Sequence, residues 1–133
     1  MPFLACVNDT RKSLIWIGST RRDLRKFPED VRRVFGFTLH LAQKGDKHLD
    51  AKPLRGFCGA GVLEVVEDFD GSTYRAVYTV KFAGVVYALH AFQKKAIRGI
   101  AIPKQEIELV RKRLRSAEDD YRARAKEMED GTK

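Results

Sequence analysis

An α+β domain is expected from three features of the 133-residue chain. Three strand-like segments follow one another through tight-turn chemistry, two helix patterns precede them, and a long charged helix with a narrow apolar stripe follows. The expected order is β-α-α-β-β-β-α: a small, mainly antiparallel sheet with two helices before it and one long helix after it. A chain of this length builds one core rather than two. Residues 1–133 therefore read as a single domain, with 13–115 as its core and 116–133 as an extended helix and tail.

Ser13-Leu14-Ile15-Trp16-Ile17 is a short apolar strand closed by Gly18. Ser19-Thr20 offers a helix cap, and Asp23 favours the first turn behind it. Leu24, Phe27 and Val31 keep helical spacing, but Pro28 cannot donate its amide. The pattern predicts one helix ending near Phe27 and another starting at Pro28, a favoured first-turn position. Val31, Val34, Phe35, Thr38, Leu41 and Ala42 form the expected buried stripe of the second helix, which Gly45 ends. Residues 46–61, with Lys52-Pro53, Gly56, Gly59 and Gly61, read as loop.

Gly61-Val62-Leu63-Glu64-Val65-Val66 begins the strand run. Asp68-Phe69-Asp70-Gly71-Ser72 is turn chemistry, and Thr73 to Val80 forms the next strand. Ala83-Gly84 turns the chain into Val85 to Phe92, whose β-branched, aromatic and small residues suit a largely buried strand. From Pro103 onward Ile107, Val110, Leu114, Ala117 and Tyr121 recur at spacings of three and four. That helix is expected to pack on the sheet at its start and to project into solvent near its end.

The apolar content of 44% is that of an ordinary globular protein. No apolar stretch approaches the roughly 20 residues that span a bilayer. The start of the chain has no basic lead and no long apolar run, so a cytoplasmic location is expected. Cys6 and Cys58 are too few for a disulfide framework, and their spacing matches no metal motif. The net charge of +8 is unevenly placed. Through Leu63 there are 12 Lys/Arg against 6 Asp/Glu, whereas from Gln105 onward the two signs balance at 8 each. The cations sit on the body of the domain, which points to a polyanion partner or to solubility alone.

The segment Leu89-His90-Ala91-Phe92-Gln93-Lys94-Lys95 ends an apolar strand in two adjacent ammonium groups. Strict alternation would place Ala88, His90, Phe92 and Lys94 on one face, with Leu89, Ala91, Gln93 and Lys95 on the other. In the preceding strand Arg75 shares a side with Val77 and Thr79. An arginine there needs either a carboxylate, for which Glu64 is available, or a phosphate from outside. His90 is either a satisfied core histidine or a proton shuttle. Cleavage of a ribose phosphodiester needs little beyond such groups: a base for the 2′-hydroxyl, cations for the phosphorane and an acid for the leaving oxygen. Clustered carboxylates for a metal are absent, since Asp68 and Asp70 flank a turn, and neither a GxSxG nor a phosphate-loop motif occurs. No metal and no cofactor are expected.

Gly61-Val62-Leu63-Glu64, then Tyr74-Arg75-Ala76-Val77-Tyr78, then Leu89-His90-Ala91-Phe92-Gln93-Lys94-Lys95, then Pro103 with Glu106-Ile107 resemble the phage-derived, HigB-like branch of the RelE/ParE toxin superfamily. The resemblance runs from about Ser13 to Arg115. It implies a RelE-like fold and the toxin half of a type II toxin–antitoxin pair: a ribosome-dependent endoribonuclease that cuts mRNA without metal. It also implies a neighbouring antitoxin, expected to be a small helix-turn-helix protein. Arg75 matches the arginine that meets the scissile phosphate, and Lys94 and Lys95 match the basic pair ending the last strand. His90 and Glu64 compete for the role of general base. Lys52, Arg55, Lys81, Gln93 and Arg98 are the expected RNA contacts. A ParE-like, non-catalytic inhibitor of DNA gyrase and a non-toxic nucleic-acid-binding phage protein are the alternatives.

Overall fold

The computed structural model describes residues 11–57, 61–94 and 102–131. Its elements are β1 (Ser13–Trp16), α1 (Thr20–Arg25), α2 (Glu29–Gln43), β2 (Lys52–Pro53), β3 (Val62–Phe69), β4 (Ser72–Thr79), β5 (Val85–Lys94) and α3 (Lys104–Gly131). One five-stranded sheet has the order β1-β5-β4-β3-β2. β2 through β5 are antiparallel to their neighbours, while β1 runs parallel to β5. The expected order therefore gains a strand. β2 is two residues long and carries a proline, which an edge strand tolerates and a central one does not.

The meander follows turn chemistry. Phe69 and Ser72 face each other across Asp70-Gly71, whose φ values of 50° and 81° fit a two-residue hairpin loop. α2 begins one residue later than expected, with Pro28 in extended geometry at its N-cap (ψ 152°). Its buried stripe is Val31, Phe35, Thr38, Leu39 and Ala42. Leu39, four residues after Phe35, takes the place expected for Leu41, and Val34 and Leu41 are half-buried at the edges of the stripe.

Successive residues of β5 serve opposite layers. Val86, Ala88 and Ala91 face α1 and α2, where Leu24, Phe27, Val31 and Phe35 meet Val65, Tyr74 and Ala76. Phe27 packs edge-on against Tyr74 with ring centroids 4.9 Å apart. Val85, Tyr87 and Leu89 face α3, where Val110 and Ala117 are fully buried. The fold is a three-layer sandwich, helices on both faces of the sheet.

Strict alternation fails once, at Leu89. Tyr78 pairs with Ala88 but Val77 pairs with His90, so Leu89 is an extra residue in β5, a β-bulge. Leu89 and His90 both turn toward α3, and the faces assigned to every later residue of the strand exchange. Ala88 thus parts from His90, Phe92 and Lys94.

α3 is 28 residues long, about 42 Å at the usual helical rise. It leaves the sheet at Tyr121, whose ring stacks near Phe82 and whose hydroxyl donates to the Ala83 carbonyl at 3.1 Å. Residues 122–127 are all exposed, as the thinning apolar stripe predicts. One residue before Tyr121 on α3, Asp120 accepts from the Tyr87 hydroxyl at 2.7 Å, and burial pushes that phenol's pKa up. Arg124 holds the same carboxylate at 2.6 Å and keeps it below its usual range. Among the described residues no helix is long and apolar enough to cross a membrane.

Leu89 is completely buried at the bulge. Leu89→Ala is expected to cost about 2–5 kcal/mol, the range for a buried leucine truncation. Urea unfolding followed by circular dichroism measures it.

Candidate nucleic-acid interface

The α3 face of the sheet carries a diagonal row of charge. Lys52 on β2 stands opposite Glu64 on β3. Arg75 on β4 lies one diagonal step further, since Glu64 pairs with Val77. Arg75 stands opposite Phe92, and Lys94 is two residues beyond it on the same face of β5, opposite Thr73. Four strands thus align Lys52, Glu64, Arg75 and Lys94.

The middle of the row is buried and its outer end is wet. Arg75 Nη1 donates to Glu64 Oε2 at 3.3 Å and to Oε1 at 3.4 Å, and both side chains are about nine-tenths covered. Lys52 Nζ sits 4.0 Å from Glu64 Oε1 with 66% of its side chain exposed. Of the two partners open to Arg75, the carboxylate is the one in contact. Removing one member of such a pair strands the other's charge, typically at a cost of about 3–5 kcal/mol.

His90 has both ring nitrogens engaged. Nε2 lies 2.6 Å from Glu106 Oε1, and Nδ1 lies 3.2 Å from Arg113 Nη1. Arginine only donates, so Nδ1 accepts and the ring's proton sits on Nε2, pointing at Glu106. Arg113 also donates to the Leu89 carbonyl at 3.0 Å, to Thr20 Oγ1 at 3.2 Å and, through Nη2, to Ser19 Oγ at 3.1 Å. Phe92 stacks on the imidazole with centroids 4.8 Å apart. Burial pushes the His90 pKa down against the opposing pull of Glu106. His90 is a satisfied core histidine joining β5 to α3. Both ring nitrogens are taken up by α3, so neither is presented to the sheet's charge row.

Glu106 and Arg113 were not among the expected site residues, although their seven-residue separation puts them on one face of α3, beside the apolar stripe. Gly18 is the other participant that sequence pattern hides. Its φ is +61°, a conformation that side-chain-bearing residues rarely adopt, and a Cβ there would lie 2.9 Å from Arg113 Nε, so a larger residue would push the guanidinium aside.

The remaining expected contacts are scattered. Lys81 pairs with Glu118 at 3.1 Å, beyond the end of β4. Gln93 donates to Ser72 Oγ at 3.1 Å and alternates onto the face opposite Lys94. Arg55 is exposed just after β2. Lys95 and Arg98, with Cys6 and Cys58, lie outside the described residues. Among the described residues no group of three or more His, Cys, Asp or Glu side chains is placed to hold a metal ion.

The family model described as phage-derived protein Gp49-like (DUF891) matches residues 22–115. The chain belongs to the Gp49-like family. No curated protein matches it. Among solved structures it is similar to the RelBE2 toxin–antitoxin complex from Mycobacterium tuberculosis, at 21% identity and a TM-score of 0.43, over 65% of this chain and 94% of that one. The Gp49-like match takes in the whole charge row and both α3 partners of His90, and it stops short of the projecting end of α3.

The buried histidine gives this Gp49-like protein a pH-dependent stability. A His pKa lowered by folding contributes stability that is complete above the unfolded value, about 6.5, and is lost as pH falls through the folded value. Denaturation midpoints are expected to drop between pH 7.5 and 5, as protonated His90 meets Arg113. His90→Gln is expected to flatten that stretch of the curve.

Proposed function

We propose that this protein is the toxin of a type II toxin–antitoxin pair and acts as an endoribonuclease on mRNA at the translating ribosome. The observation that supports this reading best is the row Lys52–Glu64–Arg75–Lys94 across four adjacent strands. The 2′-hydroxyl of the RNA attacks the neighbouring phosphorus, the bond to the 5′-oxygen breaks, and a cyclic phosphate and a 5′-hydroxyl result. Glu64 is the carboxylate nearest the cations and takes the hydroxyl proton, while solvent water protonates the departing 5′-oxygen. Arg75 and Lys94, with Lys95 next in the chain, stabilise the phosphorane charge. His90 takes no part. A small helix-turn-helix antitoxin encoded alongside neutralises the protein, and the cytoplasm is its place of action.

A second reading is favoured by one specific observation: Arg75 is already held by Glu64, and His90 by Glu106 and Arg113. A protein of that kind binds its target without cutting RNA, as a ParE-like inhibitor of DNA gyrase does.

Expression in a bacterial host with mapping of mRNA ends decides between them. Arg75→Ala alone is a poor probe because it strands buried Glu64, so Arg75→Met with Glu64→Leu is the informative double variant. Cleavage is expected to fall at least about a hundredfold in that variant and in Lys94→Ala, with folding intact, because a lost phosphorane contact costs roughly 2.7–4 kcal/mol. Growth arrest with intact mRNA and damaged DNA would select the gyrase reading.

A further inference from the structure

Arg111 lies on the flank of α3 away from Arg113, and it is not part of the charge row. Its guanidinium carbon stands 4.8 Å over the centre of the Phe57 ring. Phe57 is itself buried, at 7% exposure, and its position is set by backbone bonds: Leu54 N–H to the Val62 carbonyl at 3.0 Å and Phe57 N–H to the Leu54 carbonyl at 3.3 Å. Gly56, at φ +92°, brings the backbone close enough that a Cβ would lie 3.4 Å from Arg111 Nη2. Arg111 is nevertheless exposed, and among the described residues no carboxylate pairs with it. A guanidinium held against an aromatic ring and still exposed to solvent is a flat cation available to a ligand. From Lys52, the exposed outer end of the charge row on β2, the chain runs through exposed Arg55 to Phe57, the ring under Arg111.

We propose that Arg111 stacks a base of single-stranded RNA, and that the strand reaches it from the charge row over the β2 edge, with its phosphates on Lys52 and Arg55. This rests on the reading of the protein as RNA-binding and adds to it the class of substrate, unpaired RNA, and the direction in which it leaves the row. RNA bases freed from a helix stack on guanidinium planes as they do on aromatic rings. Phe57 fixes the plane beforehand, which lowers the ordering cost of binding. A duplex offers no free base face at this position.

The test is fluorescence anisotropy with a labelled 2′-O-methyl single-stranded RNA, which lacks the nucleophile and stays intact on the wild-type protein. Arg111→Ala is expected to raise Kd about tenfold, the lower end of what a lost base stack costs. Arg111→Lys is expected to weaken binding nearly as much, because it keeps the charge without the plane. Arg111→Trp restores a plane and is expected to recover most of the affinity. Unchanged binding in Arg111→Ala, or full affinity in Arg111→Lys, overturns the proposal. So does equal loss in Arg111→Trp and Arg111→Ala, which would make Arg111 only a clamp for α3. If the protein cuts mRNA while Arg111→Ala binds and cuts normally, this inference fails alone. If the Arg111 dependence holds but no mRNA is cut, the cleavage reading fails alone.

Discussion

Arg113 reaches from α3 to the Leu89 carbonyl, and that bond ties the bulge in β5 to the packing of both helical layers. A bulge disrupts the ladder locally and leaves a backbone group in need of a partner. Here the guanidinium meets that need while also holding His90, Thr20 and Ser19. Burial pulls its pKa below the usual arginine value, and the surrounding acceptors and nearby Asp23 and Glu106 offset that cost. α1, β5 and α3 are fixed relative to one another at a single polar node, with apolar clusters on either side.

The charge row follows from the same extra residue. Without it, Val77 would face Leu89 and Arg75 would face Ala91. Lys94 would then alternate onto the α1–α2 face, behind the sheet from Arg75 and Glu64. With it, Phe92 faces Arg75, and Lys94 joins Lys52, Glu64 and Arg75 on one side. The shift acts through register alone, and every side chain after Leu89 inherits it.

This is why the fold was more legible in the sequence than the interface. Helix stripes and turn residues act locally: Asp70-Gly71, Ala83-Gly84 and the Ile107–Tyr121 stripe each name their element without outside help. The missed strand, β2, has only Lys52-Pro53 and exists because β3 offers it an edge. The bulge leaves no mark in a run as apolar as Val85-Val86-Tyr87-Ala88-Leu89, where either face is an acceptable home for each residue. Arg113 reads as one more surface cation on a charged helix until Gly18 and the Leu89 carbonyl are seen beside it. Glu64 and Arg75 were legible as a possible pair, since adjacent strands bring them together. Which partner Arg75 takes depends on depth, and depth is a property of the layers around the strand.

That depth sets the terms on which the row can meet an anion. Arg75 and Glu64 are bonded at a long 3.3 Å, and an attraction between buried charges is worth most when the geometry is short and fully hydrogen-bonded. A phosphate that approaches from the Lys52 and Lys94 ends brings its own negative charge to Arg75, so the guanidinium can exchange one anion for another without ever standing alone. On the cleavage reading, the exchange turns Glu64 from a partner of Arg75 into a carboxylate facing a ribose, the base of the reaction. On that reading the ion pair is therefore the resting form of the site, and its carboxylate is needed twice: to keep Arg75 compensated when RNA is absent and to take the 2′-hydroxyl proton when it is present. On the gyrase reading the exchange never happens and the pair is only structural. The same residues at the same distances serve both readings, and what separates them is whether a phosphate ever displaces Glu64.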